Sequence, residues 1–152
     1  MIATPNAAIV SEFKRICSDI MSPEKALEHA SKDLEIFDGG RLFLDAIENM
    51  RLNDFSQIVV KKSDQSYGIL SREGVSRWVE NIALDGLIDV KDARIMDVMT
   101  FEAHDTTKFI NTDTSIYVAM ELFARVTPRI HTLIITSRGT DHEKPLGILT
   151  AW

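Results

Sequence analysis

The tetrapeptide Gly68-Ile69-Leu70-Ser71 returns near the end of the chain as Gly147-Ile148-Leu149-Thr150, and each copy closes a similar run. The first run is SQIVVKKSDQSYGILS and the second is HTLIITSRGTDHEKPLGILT. Each is an apolar strand-like segment, a polar turn and the tetrapeptide. The match extends upstream, where Ala46-Ile47-Glu48 answers Ala119-Met120-Glu121 and Ile58-Val59-Val60 answers Leu133-Ile134-Ile135. The offset grows along the chain, so the second copy has the longer loops, where structural repeats tolerate insertion. A unit this short cannot bury its own apolar face, whereas two stacked units can. The duplication therefore predicts two like halves docked on one another.

Each copy reads as β-α-β-β, and the first continues into a further helix. In the first copy LEIFDGG leads into the helix RLFLDAIENM, whose expected buried stripe is Leu42, Ala46, Ile47 and Met50. The strands SQIVVK and YGILS follow, then the helix REGVSRWVENIALDG with Val75, Trp78, Val79 and Ile82 on one face. The stretch between the copies contains RIMDVMT, with Ile95, Met96, Val98 and Met99. It is too apolar for a free linker, so the halves are expected to dock face to face. Ahead of the repeat, two helices are expected. One carries Ile9, Phe13, Ile16 and Ile20 on a single face; the other runs through SPEKALEHASKDLE, with Ser22 as N-cap and Pro23 at its first position.

The totals exclude several function classes. The net charge of −6, with no basic stripe beyond Lys61 and Lys62, disfavours nucleic acid and anionic membranes as partners. No apolar run approaches the ~20 residues of a membrane span, and MIATPNAAIVSEFKR lacks the pattern of a signal peptide. The single cysteine, Cys17, forms no intrachain disulfide and fits a reducing, cytoplasmic setting. His104, His131, His142 and Cys17 are too scattered for metal-ligand spacing, so no metal site is expected. The acids and bases of HDTTK and DHEK read as solvent-facing turn clusters. No nucleophile elbow, phosphate loop or dinucleotide fingerprint is present, and no catalytic residue is expected.

The duplicated β-α-β-β unit closing on Gly-Ile-Leu-Ser/Thr, with RIMDVMT between the copies, resembles the CBS motif in the tandem arrangement called a Bateman module. The resemblance covers about residues 36–152. It implies an α+β fold of two β-α-β-β-α motifs packed with pseudo-two-fold symmetry: a helical extension over 1–35, the first motif over 36–90, a connector over 91–108 and the second motif over 109–152. The second motif is expected to lack its C-terminal helix, and the N-terminal segment 6–34 to cover part of the sheet left bare.

The resemblance also implies a function. Such pairs bind an adenine nucleotide or related adenosyl ligand (AMP, ADP, ATP, S-adenosylmethionine or cyclic di-AMP) and report it to a regulated protein partner, commonly as homodimers. The residues carried over as ligand-binding are Ser71, Arg72, Phe109, Ile110, Arg129, His131 and Thr150. Ser71 and Thr150 would donate to phosphate or ribose oxygens, Arg72, Arg129 and His131 would meet phosphates, and the backbone at Phe109 and Ile110 would hold adenine. A capping role for the two hydroxyls, a solvated loop for Arg129, and a structural role for His131 remain open. The chain departs from the family pattern twice: the position of the ribose-binding aspartate is Gly74 in the first motif, and in the second the chain ends at Trp152, one residue before it. These departures support the alternative of a structural dimerisation or partner-interaction module that has lost its ligand.

Overall fold

The computed structural model describes residues 9–10, 12, 16, 23–86, 89–103 and 105–151. Two three-stranded sheets carry the fold. In the first, β1 (Ile36–Asp38) lies parallel to β2 (Gln57–Lys61), and β3 (Tyr67–Ser71) is antiparallel to β2. In the second, β4 (Thr107–Asn111), β5 (Thr132–Thr136) and β6 (Gly147–Thr150) repeat that order and polarity. A parallel neighbour needs a crossover, which α2 (Phe43–Leu52) supplies in the first half and α5 (Ile116–Ala124) in the second. After β3 the chain turns directly into α3 (Arg72–Asp85), which stops at Gly86 in the left-handed region favoured by glycine.

The two short helices outside the repeats are exchanged. Helix α4 (Ile95–Met99) precedes the second copy, yet Ile95, Val98 and Met99 are buried with Phe37, Phe43, Leu70 and Trp78 in the core of the first. Helix α1 (Ala26–His29) precedes the first copy, yet Ala26, Leu27 and Ala30 pack with Ile110, Ala119, Leu122 and Leu133 in the second. The backbone makes the same exchange. The Phe43 N–H donates to the Ala93 carbonyl at 2.9 Å, and its counterpart Ile116 donates to Glu24 at 2.8 Å. A third cluster, built on Val59, Ile69 and Ile134 with Leu34, Phe109 and Ile148, lies between the two sheets.

The exchange explains why the N-terminal segment differs from its sequence reading. Within SPEKALEHASKDLE only Ala26–His29 is helical; Pro23 precedes the helix, and Ser22 lies outside the described residues. Lys25 bridges to Ser115, and Ser31 exchanges two hydrogen bonds with Ile148 at 2.9 and 3.0 Å. Backbone groups used across the interface are not available for i→i−4 bonds. Of the earlier expected face, Ile9 and Ile16 are helical but exposed, while Phe13 and Ile20 lie outside the described residues.

Three other expectations need correction. In α2 the buried stripe is Phe43, Ala46 and Met50; Leu42 is the N-cap, one residue before the helix. In α3, Trp78 is 7% exposed and meets Phe43 edge to face at 4.8 Å, whereas Val79, expected on the same face, is 43% exposed. In the DHEK turn, Asp141 and His142 are exposed, but Glu143 is half-buried. Its carboxylate accepts from the Arg138 and Thr140 N–H groups and from the Thr136 and Thr140 hydroxyls, tying the long loop of the second copy together.

The repeated glycine has its reason here. A Cβ on Gly147 would fall 2.9 Å from the Ala30 Cβ, with the Leu27 Cδ1 at 3.1 Å and the Ser31 carbonyl oxygen at 3.4 Å. A Cβ on Gly68 would meet the end of the Lys62 side chain and the Met99 methyl. Each glycine lies against its exchanged segment. The neighbours of Gly68 are flexible ends, whereas those of Gly147 include a Cβ fixed to the backbone. Gly147→Ala is therefore expected to destabilise by about 1–3 kcal/mol through overpacking, and Gly68→Ala by clearly less. Urea unfolding of the two variants measures the difference; equal costs would contradict it.

Candidate ligand clefts

Two clefts lie where the repeats meet, both at the Ser71 and Thr150 end of the repeated phrase. The Ser71 cleft, about 360 Å³, is lined by residues including Gln57, Ser71, Arg72, Glu102, His131 and Thr150. The Thr150 cleft, about 530 Å³, is lined by residues including Lys32, Asp33, Asp54, Ser56, Gln57 and Thr150. Gln57 opens β2 and Thr132 opens β5, so they are counterparts in the repeat. They meet where the halves join: the buried Thr132 hydroxyl donates to the Gln57 Oε1 at 2.6 Å.

Ser71 ends β3 and is the N-cap of α3. Its Oγ accepts from the Gly74 N–H at 3.1 Å, leaving that first-turn donor satisfied. A capping box would complete the arrangement with a glutamate three residues after the cap. That position is Gly74, and the carboxylate comes instead from Glu102 in the connector. The Glu102 Oε1 accepts from the Ser71 N–H at 2.6 Å, and the Ser71 hydroxyl donates to the same carboxylate at 3.0 and 2.9 Å. A Cβ on Gly74 would fall 2.0 Å from that oxygen. The missing side chain at 74 and the incoming one from 102 are thus two parts of one arrangement.

Burial pushes the Glu102 carboxyl above its ordinary value of 4.5, opposed by the two Ser71 hydrogen bonds and by the nearby Arg77 guanidinium, while Glu73 adds to the rise. Arg77 itself pairs with Glu73 one turn earlier, at 2.7 Å. Arg72 turns to the loop before β2. Its Nε donates to the Phe55 carbonyl at 3.2 Å and it pairs with Asp54 at 3.2 Å, an exposed contact worth at most about 1 kcal/mol. His131 is fixed through its backbone. Its N–H donates to Thr106 at 2.7 Å and its carbonyl accepts from Ala151 at 2.8 Å, with an exposed side chain on the cleft wall. Among the described residues the Thr150 hydroxyl makes no hydrogen bond.

No protein-family model matches this chain, and no curated protein matches it. Solved structures do. A hexameric CBS-CP12 protein from bloom-forming cyanobacteria aligns at 20% identity over 83% of this chain and 63% of its own, with a TM-score of 0.59. A putative acetoin utilization protein, AcuB, from Vibrio cholerae aligns at 14% identity over 83% of each chain, with a TM-score of 0.62. CBSX2, in complex with AMP, aligns at 14% identity over 84% of this chain and 90% of its own, with a TM-score of 0.60. This chain has the fold of a CBS-domain pair. It spans less than two thirds of the length of the CBS-CP12 protein.

Within this fold, four of the residues named from sequence, Ser71, Arg72, His131 and Thr150, line one cleft. Phe109 lines an adjoining cavity of about 340 Å³ with Tyr67, Gly68 and Met99, and its ring packs between the sheets. The Ile110 side chain is buried in the second core, because consecutive strand residues face opposite sides, and only a backbone contact is open to this residue. Arg129 is exposed and lies outside the lining of all three cavities. Glu102 and Arg77 had not been singled out. The only sequence trace of Glu102 was the empty acid position at Gly74. Among the described residues no three histidines, cysteines or carboxylates stand together as a metal site, and no helix is long and apolar enough to cross a membrane.

Glu102 sets a pH dependence. A carboxyl whose pKa is raised by folding favours the folded state when protonated; that contribution is complete below the ordinary value and is lost as pH rises through the raised one. Glu102→Gln has no such titration. The stability of the wild type relative to Glu102→Gln is therefore expected to be greatest near pH 4 and to decline towards pH 7. Denaturant unfolding of both proteins at the two pH values reads this directly, and a difference that grows with pH would contradict it.

Proposed function

We propose that this CBS pair is a non-catalytic regulatory module that takes an adenine nucleotide or related adenosyl ligand between its motifs. The observation that carries this reading is the Thr150 cleft. It is about 530 Å³, within the usual size of small-molecule sites, and it has an unengaged hydroxyl at its end and Lys32 on its wall. The AMP complex of CBSX2, which shares the fold, supports the ligand class. Ligand binding would act by its differential affinity for two arrangements of the motifs or of two chains. A protein partner that receives the signal, and a cytoplasmic setting, belong to the same reading.

A second reading, a dimerisation module without ligand, is favoured by a specific surface. Helix α5 leaves Tyr117, Val118 and Met120 exposed on its outer side, at 51%, 45% and 57%, and self-association would cover them.

Thermal melts with AMP, ADP, ATP, S-adenosylmethionine and cyclic di-AMP separate the two. A one-site ligand at 100 times its Kd adds about 2.7 kcal/mol. The expected result is a rise in Tm with one of these ligands, reduced in Thr150→Val and unchanged in Arg129→Ala. No rise with any ligand, together with a dimer in sedimentation velocity that Val118→Asp dissociates, would select the second reading.

A further inference from the structure

We propose that Glu102 is a resident occupant of the Ser71 cleft, whose carboxylate holds the donors that an incoming anion would use. The cleft is thereby closed to phosphate at Ser71, while the Thr150 cleft stays open. The ligand class follows from the nucleotide reading above; the closure itself stands on the contacts alone.

The first argument is the count of donors. Ser71 offers one N–H and one O–H, and both go to Glu102. The neighbouring Gly74 N–H goes to the Ser71 Oγ. The first turn of α3, a 14-residue helix, attracts negative charge, and the charge it has attracted is covalently part of the chain.

Space and charge agree with this count. The carboxylate lies where any side chain at position 74 would begin, so the seat exists only because that residue is glycine. A second anion at Ser71 would meet a like charge directly. Arg72 and Arg77 offset it only in part, because each is already paired, with Asp54 and Glu73 respectively, and Arg77 already acts on Glu102. Across the pseudo-two-fold the arrangement is different. Among the described residues no carboxylate is bonded to Thr150, and the segment packed against Gly147 presents Leu27 and Ala30. The two clefts, written with the same phrase, are therefore unequal in what they admit.

Backbone amide spectra during titration with inorganic phosphate test the closure on the full chain. In the wild type the Ser71 and Gly74 amides should not respond. In Glu102→Ala they should shift saturably, with an affinity roughly tenfold or more above any wild-type response. Glu102→Gln, which still fills the seat, should behave as the wild type. Glu102→Ser vacates the seat in the same way and replaces the alanine variant if that one fails to fold. A wild-type response equal to that of the variant, or no response in either vacated variant, would overturn the proposal.

A parallel titration with AMP separates the closure from the nucleotide reading. AMP that shifts amides around Thr150 but not Ser71 supports both. AMP that shifts Ser71 in the wild type overturns the closure and leaves the nucleotide reading intact. A phosphate response in the vacated variant with no AMP binding anywhere upholds the closure and overturns the nucleotide reading.

Discussion

The exchange of α1 and α4 is the constraint on which the rest of the molecule depends. Each three-stranded sheet is too small to cover its own helix-side face, and the missing cover comes from the segment that precedes the other repeat. Ile95 and Val98 are completely buried in the core of the first repeat, with Met99 beside them, and Ala26 is equally buried in the opposite one. The glycine of each repeated phrase lies against the exchanged segment. The clefts lie at the far end of the same strands, so their walls are set by contacts made elsewhere in the fold.

Much of this was legible in the chain. The repeated phrase, the two strands before it and the crossover helix could be read from hydrophobic spacing, because those patterns report local geometry. The destination of the connector could not. Ile95, Val98 and Met99 were recognisably core residues, but their apolarity does not say which core they enter. The N-terminal helix was overestimated for a related reason. Residues 25 and 31 have ordinary helical propensity, and only the partners Ser115 and Ile148 draw their backbone away.

The site shows the same division. Ser71, Arg72, His131 and Thr150 line one cleft because a motif fixes their positions relative to strands that were themselves legible. Strand alternation turns the Ile110 side chain away from the clefts, and the path of a loop leaves Arg129 outside their walls. Glu102 escaped because it reaches Ser71 across a sequence separation of 31 residues. The gap it fills was visible as a glycine in an acid's place, but a gap in a sequence does not name its occupant.

The contact between Gln57 and Thr132 has one more implication. These residues hold corresponding positions, so the bond between them spans the junction that relates one half to the other. A hydrogen bond has a donor and an acceptor and cannot be its own mirror partner. One half must give the proton and the other must take it. A perfectly duplicated chain would place two identical groups there, and a single bond between them would have no preferred direction. Divergence at this pair therefore gives an almost symmetric object a direction, and that direction distinguishes its two ends before any ligand arrives.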